Sequence, residues 1–146
     1  MTAMTTATAM ATGAAEQARV PVARDGDVVH ARQTGRELAA RIGFRGTDLT
    51  LIATAISEVA RNIVLYAGRG EIAVSATEAG GRCGIQVVAH DDGPGIPDIE
   101  LAMRDGYSTG KSLGLGLSGA RRLMDQFEIV SEVGVGTTIT MSKWKR

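Results

Sequence analysis

His90-Asp91-Asp92-Gly93-Pro94-Gly95 is where the chain changes character. Upstream, residues 71–77 and 83–89 alternate apolar with polar side chains, through Ile72, Val74 and Ala76 in one run and Ile85, Val87 and Ala89 in the other. Alternation of that kind turns one face of each strand toward a core. Glu78-Ala79-Gly80-Gly81-Arg82 between them supplies the glycines of a hairpin turn. The paired acids and the Gly-Pro-Gly then break the alternation. Downstream, Pro97 suits the first turn of a short helix running to about residue 105. Residues 106–112 are small and polar, as in a mobile loop. Residues 113–127 read as a helix opened by glycine, with Leu117, Leu123, Met124 and Phe127 inward. Two last strands, 128–133 and 137–143, flank Gly134-Val135-Gly136.

Working back toward the start, Val20 and Val22 mark a short strand within 17–23. Asp25 can cap a helix in which Val28, Ala31, Gly35, Leu38 and Ile42 recur at steps of 3, 4, 3 and 4, with Gly43 at its end. Thr47 can cap a second helix with the same steps through Leu49, Ile52, Ile56, Val59 and Ile63, closed by Gly68 and Gly70. The order strand, two helices, hairpin, two helices, hairpin predicts an α/β fold. It is a two-layer sandwich, a mostly antiparallel sheet with helices on one face. A length of 146 residues suits a single domain, placed over 17–146. Residues 1–16 repeat Ala, Thr and Met with few large apolar groups, and read as a disordered tail.

Composition narrows the function. Sixteen basic residues balance sixteen acidic ones, so no long-range field draws the chain to nucleic acid or to an anionic membrane. The basic end, Lys143-Trp144-Lys145-Arg146, reads as a solvated terminus. Cys83 is alone, which excludes an intramolecular disulfide and fits a reducing compartment. The apolar runs fall short of the roughly 18 residues of a membrane span. The first residues lack the basic start and unbroken apolar stretch of a secretory signal. A cytoplasmic location follows as the expectation.

Four groups of residues are candidates for chemistry. Glu58 and Asn62 stand four apart on one side of the second helix. A carboxylate and an amide oxygen so placed can steer a nucleophile or hold a hydrated Mg²⁺, which takes one or two protein oxygens beside phosphate. Taken alone, the pair is equally a solvated helix face. Asp91, at a strand end, can accept a hydrogen bond from an adenine amino group, while Gly93 and Gly95 permit close approach of backbone to base. A plain Gly-Pro-Gly turn accounts for those glycines but not for the acids.

Gly114-Leu115-Gly116-Leu117-Ser118-Gly119 opens a helix, whose first amides suit phosphate. A polar loop rather than a strand precedes it, against a dinucleotide fingerprint, and close helix packing is the other reading. Thr137, after Gly134-Val135-Gly136, adds a hydroxyl to what is otherwise a hairpin turn.

Glu58-x-x-x-Asn62, Asp91-x-Gly93-x-Gly95, Gly114-x-Gly116 and Gly134-x-Gly136-Thr137, in that order, resemble the motif set of the GHKL ATPases. DNA gyrase B, MutL and histidine kinases belong to that superfamily. Within it, Ser57-Glu58-Val59-Ala60-Arg61-Asn62-Ile63 and Asp92-Gly93-Pro94-Gly95-Ile96-Pro97-Asp98-Ile99 most resemble the RsbT-type switch-protein serine kinases of bacterial stress-signalling modules. So do Asp105-Gly106-Tyr107-Ser108-Thr109 and Arg122-Leu123-Met124-Asp125. The likeness runs over residues 20–146.

The resemblance implies the Bergerat form of the sandwich, with ATP between helices and a lid. It implies Asp91 at adenine with Gly93, Gly95, Ile96 and Thr137 nearby. Gly114, Leu115, Gly116 and Leu117 would lie at the phosphates, and Asn62 in the Mg²⁺ shell. Ser108, Thr109, Lys111 and Ser112 would belong to the lid, and Glu58 would be the general base toward a serine hydroxyl. The implied partners are a STAS-domain antagonist as substrate and a PP2C-type phosphatase activated by the released kinase. The alternative is a nucleotide-gated protein that sequesters a partner such as a sigma factor without catalysis. His30 and His90 are the only histidines, and neither lies in a dimerisation hairpin of the histidine-kinase kind.

Overall fold

The structure, a computed structural model, describes residues 17–104 and 116–146. Its elements are β1 (Gln17–Val22), α1 (Asp25–Ile42), α2 (Thr47–Asn62), a π-helical turn (Ile63–Ala67), β2 (Gly70–Ala79) and β3 (Arg82–Asp91). Then follow α3 (Ile99–Ala102), α4 (Gly116–Leu123), β4 (Gln126–Glu132) and β5 (Gly136–Trp144). The five strands form one sheet in the order β1-β2-β3-β5-β4, with every neighbouring pair antiparallel. Ile72, Val74, Ile85, Val87, Ile139 and Met141 turn one sheet face into the core, against Leu38, Ile52, Ile56 and Val59 of the two long helices. The opposite face carries the register row Arg19, Ala73, Val88, Thr140 and Glu128, none of it fully buried. The predicted two-layer architecture is therefore the observed one.

Both helical stripes face the core, partly buried at Ile42 and Leu49 and buried at their other positions, and at Gly35 the two helices pack closely. A Cβ there would fall against Cδ1 of Ile56, which is itself fully buried. The helix starts differ from expectation. Asp25 and Thr47 are the first helical residues, preceded by Arg24 and Gly46 as N-caps. At α1 the capping carboxylate is that of Asp27, whose Oδ2 accepts from the N–H groups of Ala23 (2.8 Å) and Arg24 (3.3 Å). Gly43, at φ 118, ends α1 as predicted, with Phe44 N–H returning to the Ala39 carbonyl at 3.0 Å. The α-helical part of α2 stops at Asn62, and the wider turn beyond it is closed by Gly68 N–H on the Ile63 carbonyl at 2.8 Å.

Three other boundaries move. β3 continues through His90 to Asp91, because Thr138 and Thr137 of β5 pair with both. Pro97 lies outside α3, which Asp98 starts by accepting Leu101 N–H at 3.0 Å, and the helix is only four residues long. Phe127 belongs to β4, paired with Met141, not to the preceding helix. Lys143 Nζ bonds the Leu123 carbonyl (2.9 Å) at the helix end, and Asp125 N–H joins Ser142 (2.9 Å), so the chain has already entered the sheet. An inward Phe127 satisfies helical and strand phases alike, and that is why periodicity alone misplaced it.

The basic end is likewise not a solvated tail. Lys143 is buried, Trp144 N–H bonds Asp125 Oδ2 (2.8 Å), and Arg146 pairs with Asp125 Oδ1 (2.6 Å). Residues 47–67 form one long helical run with the length and hydropathy of a membrane span, but half of it is buried in this fold as the core helix.

Candidate ATP-binding site

The expected site residues that are described lie on α2, the end of β3 and the β3–α3 loop, the start of α4 and the start of β5. A cavity of about 340 Å³ is walled by Asn62 and Tyr66 of the α2 end, by residues 94–98, by Leu101, Ala102 and Arg104, and by Gly116 and Leu117 of α4. Its size lies within the usual range for small-molecule pockets. Of the residues singled out from sequence, Asn62, Gly95, Ile96, Gly116 and Leu117 line this cavity. Gly114, Leu115, Ser108, Thr109, Lys111 and Ser112 lie outside the described residues.

Asp91 and Gly93 line a second hollow instead, with Arg69, Glu71, His90 and Asp92. Asp91 is buried at the last rung of β3, opposite Thr137. One carboxylate oxygen accepts Gly93 N–H at 2.9 Å, which fixes the turn that leads to the cavity. The glycines earn their places by contact. A Cβ on Gly93 would come 2.6 Å from that of Ala67, one on Gly95 (φ +80) would strike the Glu132 carbonyl, and one on Gly136 (φ +147) would strike that of Asp91.

Thr137 is buried, and its Oγ1 lies 2.8 Å from Oγ of Ser131. Ser131 also accepts Ile96 N–H at 2.7 Å, and Gly134 N–H bonds the Pro94 carbonyl at 2.8 Å. The β3–α3 loop and the β4–β5 turn are thus clasped together. Ser131 was missed in the sequence, although the inward phase of Phe127 and Ile129 leads to it. His90 stands on the outer edge of this end, with Nδ1 2.8 Å from Thr138 Oγ1 and Nε2 3.1 Å from Asp92 Oδ1.

Glu58 sits deeper than a solvated helix face allows, with its side chain only 7% exposed. Burial pushes its carboxyl up from the ordinary glutamate value, opposed by the charge of Arg61 and by a hydrogen bond from the Gly116 backbone. That bond ties the middle of α2 to the first described residue of α4. Asn62 lines the cavity, and its side-chain amide makes no hydrogen bond to another described residue, so its oxygen is available as a ligand. One such oxygen beside phosphate suits Mg²⁺, which keeps most of its water, better than a cation needing an all-protein cage. Among the described residues no cluster of three His, Cys, Asp or Glu side chains forms such a cage.

The chain is similar to known proteins. Residues 5–143 match the histidine kinase-like ATPase domain family. The serine/threonine-protein kinase RsbT of Bacillus subtilis (strain 168) is 48% identical over 131 residues, covering 90% of this chain and 98% of that one. An anti-sigma F factor of Thermoanaerobacter sp. (strain X514) is 30% identical over 120 residues, covering 78% and 82%. The mycobacterial sensor histidine kinase MprB superposes with a TM-score of 0.54 at 19% identity, over 88% of this chain and 99% of that chain, and so shares its fold. With nearly half of its residues shared along almost the whole of that bacterial kinase, and with the pocket built as described, the chain belongs to the RsbT family of serine/threonine-protein kinases, within the histidine kinase-like ATPase domains.

Proposed function

We propose that this chain is the kinase of a partner switch, moving the γ-phosphoryl group of ATP to a serine of a STAS-domain antagonist in the cytoplasm. Once released from that antagonist, it activates a PP2C-type phosphatase. The observation that carries the reading is Asn62, at the end of α2, lining one cavity with Gly116 and Leu117 at the start of α4, while the buried carboxylate of Glu58, one turn back on the same helix, bonds the Gly116 backbone.

Each group has a role in this reading. Asp91 accepts from the adenine amino group with its free oxygen, and Gly93, Gly95, Ile96 and Thr137 shape that end. The amides at Gly116 and Leu117 face the phosphates, with Gly114 and Leu115 leading into them and Ser108, Thr109, Lys111 and Ser112 as the lid. Asn62 donates its oxygen to Mg²⁺, which when bound neutralises phosphate charge. Glu58 takes the proton of the serine hydroxyl as the new Oγ–P bond forms. The bond from the γ-phosphorus to its bridging oxygen breaks, and its electron pair leaves on ADP.

The test is transfer of label from γ-labelled ATP to a purified STAS-domain protein from the same genome, followed by mapping of the modified residue. Phosphoserine on the STAS protein supports the kinase. Tight partner binding gated by nucleotide, with no label moved, would favour a sequestering protein of the kind that the anti-sigma relatives' name describes.

A further inference from the structure

Among the described ion pairs, the buried one is the loose one. Arg19 and Glu71 meet at 2.8 Å and Arg146 and Asp125 at 2.6 Å, hydrogen-bonded pairs with at least one well-exposed partner. Arg61 Nη1 stands 3.6 Å from Glu58 Oε2, with its own side chain 35% exposed and that of Glu58 7%. At 3.6 Å there is attraction but no hydrogen bond. A carboxylate taken out of water is destabilised by several kcal/mol unless something compensates it. Two groups among the described residues do so here, Arg61 from the next turn of α2 and the Gly116 backbone from α4. Asn62, beside Arg61 in sequence, is neutral and cannot replace its charge.

We propose that Arg61 is a positioning residue for Glu58, holding the carboxylate charged and turned toward the start of α4 without occupying the lone pairs that must receive a proton. The idea rests on Glu58 acting as the base. A hydrogen-bonded arginine would compete with the serine proton for the same oxygen, whereas a cation one step farther away orients the group and leaves it reactive. Its partial exposure keeps the guanidinium hydrated, so the pair needs only one buried charge rather than two.

The experiment compares Arg61→Gln and Arg61→Lys in the parent protein and in Glu58→Gln. It measures single-turnover transfer from labelled ATP to the STAS-domain protein, ATP affinity, and exchange of the Gly116 amide by NMR. Arg61→Gln should slow transfer about tenfold in the parent and leave ATP affinity within about twofold. In the Glu58→Gln background it should change nothing, and Arg61→Lys should restore most of the rate. The Gly116 amide should exchange faster in Arg61→Gln, because the carboxylate that bonds it is no longer held from the other side. Equal slowing in both backgrounds overturns the proposal, since Arg61 would then act on the phosphoryl group or on the fold. If the parent transfers no label, the base reading fails by itself, and an unaltered Gly116 amide in Arg61→Gln overturns the positioning role separately. Arg61→Met, which keeps the packing of the side-chain stem, replaces Arg61→Gln if that variant does not fold.

Discussion

The two ends of the site are built on opposite principles. At the strand end, Asp91 and Thr137 occupy facing rungs of the ladder, and hydrogen bonds from Gly93 and Ser131 hold their side chains. Glycines at 93, 95 and 136 let backbone press against backbone around them. At the helix end, Glu58 is buried with a distant cation and one backbone donor, and the side chain of Asn62 makes no hydrogen bond to another described residue. One end is finished before any ligand arrives; the other is held in a state that a ligand would complete. Under the proposed function, the first end would read the base and the second would act on the phosphoryl group.

The largest effect should separate the ends by readout. Glu58→Ala should lower the rate of phosphoryl transfer by about 10² to 10⁴ while leaving ATP affinity nearly intact. Asp91→Asn, measured by ATP titration, should weaken nucleotide binding by roughly 5- to 150-fold, the equivalent of about 1–3 kcal/mol for a mismatched buried polar group. If the two variants exchanged these signatures, the contrast between a reading end and a reacting end would be broken.

Next in size is Gly136→Ala, which places a methyl against the Asp91 carbonyl at a φ of +147. Denaturant unfolding should show a loss of about 1–3 kcal/mol. Ala at Gly134, where a Cβ meets nothing within 4 Å although φ is +85, should lose less. Equal losses would mean that backbone strain, not close approach, governs the turn.

The Glu58→Gln variant sharpens the other side. Burial raises the Glu58 carboxyl, so the native state holds that proton more tightly than the unfolded chain does. The parent protein therefore loses stability as pH climbs from the ordinary glutamate range through the raised value, and the loss is complete above it. Glutamine has no proton to lose. Its stability advantage over the parent should grow across that window and then stay level, as urea midpoints at a series of pH values would reveal. An advantage that shrank on going to higher pH would mean that Arg61 and Gly116 more than offset the burial. Smallest of all, Ser131→Ala should cost about 1 kcal/mol in the same assay, through the Ile96 amide and Thr137 hydroxyl left unpaired.

Much of this was legible from residue order. The two helical stripes and the alternating strands fixed the layers, because burial of one face is a strong and regular requirement. Boundaries were less legible where two signals overlapped. Phe127 fits both periods, and only the Lys143 and Asp125 contacts, made from the far end of the chain, show which one wins. In the site, Glu58, Asn62, Asp91 and the glycines were visible as motif residues. Ser131 was not, and Arg61, though it stands inside the quoted stretch 57–63, was given no role, since a serine in an edge strand and an arginine on a helix show what they do only once their neighbours are known. The position of Asp91 facing a separate hollow also depended on the turn of its carboxylate onto Gly93, a local geometry that spacing does not encode.

The bonds from Gly134 to Pro94 and from Ile96 to Ser131 carry a practical consequence. A hairpin tip far from the core is the usual harmless place to graft an epitope or a fluorophore. Here the tip at 134–135 props the rim of the cavity proposed to take the nucleotide, so a graft there would act as a brace or a wedge on ligand entry. A reporter attached at that tip would double as a sensor of occupancy, whereas the glycine tip at 80–81, at the opposite end of β3, would remain silent.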